Sequence, residues 1–132
     1  MLSNGPILII DGDQKYVSIM RMILQEKGYS VDFAYSGPDG LRKVVPGKYS
    51  IIIMGYVLPL MKGGEVVEKI RRIDERVRII LMTGYKHSIP QSILARYNSV
   101  LEKPINTSQI LNALRENFKA LSIYVAQTRR LE

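Results

Sequence analysis

The chain has 132 residues, 46% of them hydrophobic and 23% charged, a composition that suits one domain with a buried core. It contains no cysteine, which excludes disulfides and thiolate metal sites, and no apolar run approaches the roughly 20 residues of a bilayer-spanning helix. The net charge of +7 comes from scattered basic residues, with Arg71-Arg72 and Arg129-Arg130 the only adjacent arginine pairs, so it reads as a solvated basic surface and not as a nucleic-acid groove.

The opening MLSNGP lacks a signal-peptide pattern, and residues 1–5 read as a disordered segment. Pro6 to Ile10 (PILII) is a short apolar run, a strand that ends at Asp11-Gly12-Asp13. Asp13 suits the N-cap of the helix that follows, whose buried stripe is Val17, Met20, Ile23 and Leu24 and which Gly28 ends. Ser30 to Tyr35 alternates apolar and polar residues, as a strand near a sheet edge does. Ser36 can cap a short helix starting near Pro38, with Leu41, Val44 and Val45 inward, stopped by Pro46-Gly47.

Ile51 to Met54 is unbroken apolar sequence, too short for a helix, and reads as a strand buried on both faces in mid-sheet. The strand stops at Gly55-Tyr56, Leu58-Pro59 forces a loop, and Gly63-Gly64 releases the chain into a helix carrying Val66, Val67, Ile70 and Ile73. Chemistry in open α/β sheets lies just beyond the carboxyl ends of the strands, so position 55 is where a functional side chain is expected. It is a glycine.

Val77 to Met82 is a fourth strand running into Thr83-Gly84. Tyr85 to Asn98 is the least readable stretch, although Pro90 suits the start of a short helix with Ile93, Leu94 and Tyr97. Ser99 to Glu102 is a fifth strand ending at Lys103-Pro104. Asn106, Thr107 or Ser108 then caps a last helix, with Ile110, Leu114, Phe118, Leu121 and Val125 at helical spacing. Five strand–helix alternations imply an α/β fold, a five-stranded parallel sheet with helices on both faces. Residues 6–121 form the domain, and residues 122–132 extend its last helix, with Leu131-Glu132 reading as a cloning remnant.

If the sheet is doubly wound, Asp11, Gly12, Asp13, Gly55, Thr83 and Lys103 converge on one end. An acidic loop, a hydroxyl and a Lys-Pro look like a phosphoryl-transfer pocket, in which carboxylates hold Mg²⁺ and Lys and Thr bind phosphoryl oxygens. The order and spacing of ILIID-G-D, IIIM-G-YVLP-x-M-x-G-G, LMTG and LEKP resembles the receiver domain of two-component response regulators over residues 6–120. The resemblance implies a flavodoxin-like, doubly wound (βα)5 fold and assigns roles position by position. Asp11 matches the first of two adjacent acidic residues, and Gly12 stands where the second belongs. Gly55 falls on the phosphoacceptor aspartate, and Val57, two later, offers a metal only its carbonyl. Thr83 and Lys103 match the residues that contact the phosphoryl group, Thr83 being also a switch position, and Val100 takes the aromatic switch position.

A glycine cannot act as a nucleophile, so acyl-phosphate formation at position 55 is excluded by chemistry. With one certain carboxylate, Asp11, and Asp13 better suited to its cap, a specific Mg²⁺ site is not expected, and no other cofactor is. Lys103, deprived of its usual acceptor, is expected to turn to Asp11 or Asp13. Thr83 suits a bond to loop backbone as well as a switching role, and His87 reads as a surface residue.

The reading is a phosphorylation-independent pseudo-receiver: a cytoplasmic signalling module and not an enzyme. It would act by contact with a protein partner: a histidine kinase, an output domain or another regulator. One alternative is a working phospho-receiver that uses Asp11 or Asp13 with Mg²⁺. Another is a small-ligand domain on the same scaffold, against which counts the absence of G-x-G-x-x-G from IIDGDQKY. The resemblance places the contact surface at Tyr97, Val100, Ile123 and Tyr124, although Tyr97 and Tyr124, as amphipathic rings, suit half-buried core equally. Ile123 and Tyr124 are expected to extend past the domain body and to pack against a second copy in a homodimer.

Overall fold

The computed structural model describes residues 5–131; of the segment 1–5 expected to be disordered, residues 1–4 lie outside the described residues, as does Glu132 of the Leu131-Glu132 remnant. Five parallel strands form the sheet: β1 (Ile7–Ile10), β2 (Val31–Ala34), β3 (Ile51–Gly55), β6 (Arg78–Thr83) and β7 (Ser99–Glu102), in the order β2-β1-β3-β6-β7. The order reverses beside β1, so the fold is doubly wound and the switch point falls between β1 and β3. The uninterrupted apolar run Ile51–Met54 occupies the centre and is wholly buried; the alternating segment at β2 takes an edge.

Successive side chains of a strand point to opposite faces, and the sheet divides its residues accordingly. Leu8, Ile10, Ile52, Met54, Ile79 and Leu81 face α3 (Gly63–Ile73), packing on Val66, Val67 and Ile70. Ile7, Ile9, Ile51, Ile53, Ile80 and Met82 face α1 (Gln14–Glu26) and α5 (Thr107–Leu131), packing on Val17, Met20, Leu24, Ile110 and Leu114.

The caps act as their side chains require. Asp13 accepts from the Tyr16 amide at 3.1 Å and Ser36 from the Asp39 amide at 3.2 Å, opening α1 and α2 (Gly37–Lys43). At α5 it is Asn106 that caps: its Oδ1 accepts from the Gln109 amide at 2.8 Å, and the Gln109 side chain accepts in return from the Asn106 amide at 2.9 Å.

Several expectations are corrected. Val45 is not inward: α2 ends at Lys43, and the chain turns away with Val44 buried and Val45 half-exposed. Ile73, at the last position of α3, is likewise exposed at its rim. The helix sought after Pro90 is a single turn, α4 (Gln91–Leu94), preceded by a 3₁₀ turn at Lys86–Ser88. The loop after β3 contains a two-stranded ribbon, β4 (Val57–Leu58) against β5 (Met61–Lys62), which alternation over so few residues could not reveal.

Candidate functional site

Asp11 follows β1, Gly55 ends β3, Thr83 ends β6 and Lys103 follows β7, so parallel strands in register bring all four to one end of the sheet. They line a cleft of about 330 Å³ that also takes in Val57, Met82 and Tyr85. Asp11 is buried; its Oδ1 accepts from the Asp13 amide at 2.9 Å, and its Oδ2 lies 3.5 Å from the Lys103 ammonium. Lys103 therefore turns to Asp11, not to Asp13, whose carboxylate is engaged at the helix cap. Thr83 is buried and its hydroxyl accepts from the Tyr85 amide at 3.0 Å.

Position 55 is a glycine with a filled neighbourhood. A Cβ there would lie 2.9 Å from Asp11 Oδ2, so the carboxylate of Asp11 leans into the space beside the strand end. Position 12 is closed in a different way. A Cβ on Gly12 would lie 2.8 Å from two ring carbons of Pro59, because the β4–β5 ribbon folds over the first loop and sets its proline against the glycine backbone. The two places where the resemblance looks for carboxylates are thus occupied by Asp11 and by Pro59.

Tyr16 joins the site without having been singled out in the sequence. Its ring lies 4.5 Å from the Lys103 ammonium, and its hydroxyl donates to Met82 Sδ at 3.1 Å. Burial, aided by the charges of Asp11 and Asp13, pushes its phenol up to about 12. The signal was available: a residue three beyond the cap returns over the first turn toward the loop. Lys103 is thus held by a carboxylate on one side and an aromatic face on the other. Among the described residues no group of three or more His, Cys, Asp or Glu could hold a metal ion.

The contact residues separate. Tyr97 is buried, and its hydroxyl donates to the Gly63 carbonyl at 3.3 Å, so it belongs to the core and not to an exposed contact surface. Burial, with the neighbouring Tyr56, raises its phenol well above the ordinary range. Val100 is half-buried against the same core. Ile123 and Tyr124 are exposed, but Tyr124 does not extend past the body: the Arg76 guanidinium stands 5.3 Å from its ring. Val57 lies at the cleft and is 71% exposed.

Residues 7–115 match the model of the response regulator receiver domain. The chain belongs to this family. It is 29% identical over 117 residues to an uncharacterized transcriptional regulatory protein of Bacillus subtilis, YkoG, covering 86% of this chain and 51% of that protein. The chain spans about half the length of the curated relatives it matches. Among solved structures it resembles a CheY-like receiver domain protein of Methanospirillum hungatei, with TM-score 0.84 and 27% identity over 92% of this chain and 99% of that one. It also resembles the Thermotoga maritima response regulator TrrA, solved in complex with Mg²⁺ and BeF, with TM-score 0.77 and 26% identity over 86% of this chain and 98% of that one. The chain is accordingly a receiver domain of two-component signalling, and among the described residues no helix is long and apolar enough to cross a membrane.

Proposed function

We propose that this receiver domain is a pseudo-receiver, a cytoplasmic module that signals by protein contact without aspartyl phosphorylation. The observation that carries the reading is the state of position 55. A glycine ends β3, and the neighbouring Asp11 carboxylate leans toward it while neutralising Lys103. The lysine that would contact a phosphoryl group is thereby satisfied within the chain itself. Asp11, buried and held by Lys103 and the Asp13 amide, is poorly placed to attack a phosphodonor, and Asp13 is engaged as a cap. Mg²⁺ would find in the cleft lining a single carboxylate, Asp11, and binding it would break the pair with Lys103.

Intact mass after incubation with acetyl phosphate and Mg²⁺ tests the reading. No adduct is expected; a stable aspartyl phosphate on Asp11 or Asp13 overturns it. The partner would be a histidine kinase, an output domain or another regulator. A second copy is the further partner in this reading, meeting the end of α5 at Ile123, which is 50% exposed. Sedimentation equilibrium of the intact chain and of Ile123→Glu checks this: a dimer that the variant dissolves is expected, and a monomer at high micromolar concentration ends the idea.

A further inference from the structure

The opposite end of the sheet, away from the strand-end cleft, carries a second concavity of about 290 Å³ between the end of α3, the approach to β6 and the second half of α5. Its polar wall is made of arginines. Arg71 is consumed by the fold: it donates to the carbonyls of Arg96 (3.1 and 3.3 Å), Glu75 (3.5 Å) and Val77, and to Asn98 Oδ1 at 2.6 Å. All five of its N–H groups are thereby taken by neutral acceptors. Among the described residues it has no carboxylate within ion-pair distance, so it contributes charge to the cleft and no free donor. Burial, and then the neighbouring Arg78, pull its pKa down, and the more distant Asp74 carboxylate offsets them only in part.

The donors come from other residues. Arg78 spends only its Nε, on Asn117 Oδ1 at 2.9 Å, which leaves its terminal nitrogens without a partner among the described residues. Asn98 uses its oxygen twice, for Arg71 and for the Ile79 amide at 2.7 Å, and its amide nitrogen has no partner among the described residues. Arg76 lies over the ring of Tyr124 and makes no ion pair or hydrogen bond through its side chain among the described residues. Leu121 and Tyr124 complete an apolar wall, and Glu75 is the one carboxylate at the cleft.

The geometry points to a binding site for a small phosphorylated ligand, with the phosphate on Arg76, Arg78 and the Asn98 amide and a planar or apolar body against Leu121 and Tyr124. Guanidinium forks match phosphate oxygens in geometry as well as in charge. A concavity of this size lies at the small end of the range for ligand pockets, suited to a compact molecule. A bound dianion would also relieve the repulsion between Arg71 and Arg78.

The test is titration of the intact chain with inorganic phosphate and with adenosine 5′-monophosphate, read by NMR at the amides of residues 76–78 and 98. Wild type would be compared with Arg76→Gln and Arg72→Gln. Arg72 is exposed, pairs with Glu68 and controls for net charge. Saturable shifts are expected with both probes, tighter for the nucleotide, about tenfold weaker in Arg76→Gln and unchanged in Arg72→Gln. Arg78→Lys, which keeps the charge but loses the fork, should weaken both probes while the chain stays folded. Shifts that never saturate, or equal weakening in the two glutamine variants, overturn the site. A nucleotide that binds no tighter than phosphate overturns the assignment of the apolar wall.

Discussion

At the scale of single residues, the strand-end cleft is decided by what stands next to two glycines. Gly55→Asp does not simply supply a carboxylate: its Cβ would arrive 2.9 Å from Asp11 Oδ2, so two acids would share a site that holds one lysine. Two carboxylates crowded into that space repel each other. The variant is therefore expected to melt lower than wild type in chelator at neutral pH and to recover part of the loss when Mg²⁺ is added, measured by thermal denaturation. Gly12→Asp adds a different cost, because Pro59 must move, and about 1–3 kcal/mol is the usual scale of such overpacking. The double variant should be less stable than Gly55→Asp alone, even with Mg²⁺; equal stability would show that the ribbon yields without strain.

At the scale of elements, the β4–β5 ribbon is the segment whose local chemistry is least at ease. Pro59 and Leu60 form its turn, and Leu60 has φ 68°, a left-handed backbone that suits glycine or asparagine. That conformation costs a residue with a Cβ roughly 1–2 kcal/mol, whereas a glycine would forfeit roughly 0.5–1 kcal/mol to the freedom of the unfolded chain. Leu60 is 85% exposed, so removing its side chain sacrifices little packing. Leu60→Gly is accordingly expected to raise stability by roughly 0.5–1 kcal/mol, the difference of those terms, in urea denaturation. A loss of stability would mean that the leucine rests on something in the folded chain. The ribbon also explains why position 12 is closed, since it carries Pro59 onto the first loop.

At the scale of the molecule, three tyrosines are held neutral by the fold. Tyr16 is pushed up to about 12; Tyr49 and Tyr97 are raised too, each chiefly by burial, Tyr49 also by its 2.6 Å bond to the Asp32 carboxylate. Unfolded phenols ionise near pH 10, so below that pH both states are neutral and no stability is lost. Above it the unfolded chain releases protons that the folded chain retains, and stability falls as pH rises from about 10 toward 12. Denaturation midpoints at pH 9, 10 and 11 should trace this fall. Tyr16→Phe should make it shallower; an unchanged slope would place the alkaline sensitivity in the other two.

The fold was legible because it rests on local patterns: three apolar runs, one alternating segment and the short Ser99–Glu102 became the five strands, and Asp13 and Ser36 capped the helices proposed for them. The members of the strand-end cleft were legible for the same reason, since parallel strands deliver their carboxyl ends to one side whatever the side chains are. Tertiary contact alone decided the rest. Tyr97 suited a contact surface or half-buried core equally, and packing against α3 with a bond to the Gly63 carbonyl buried it. Lys103 could have chosen Asp11 or Asp13, and the cap at α1 removed the second. Arg71, Arg76, Arg78 and Asn98 meet where the end of α3 and the approaches to the parallel strands β6 and β7 lie together, and the second half of α5 supplies the facing wall. Periodicity fixes which face a residue takes on its own element, but the distance between elements depends on side chains far apart in the chain.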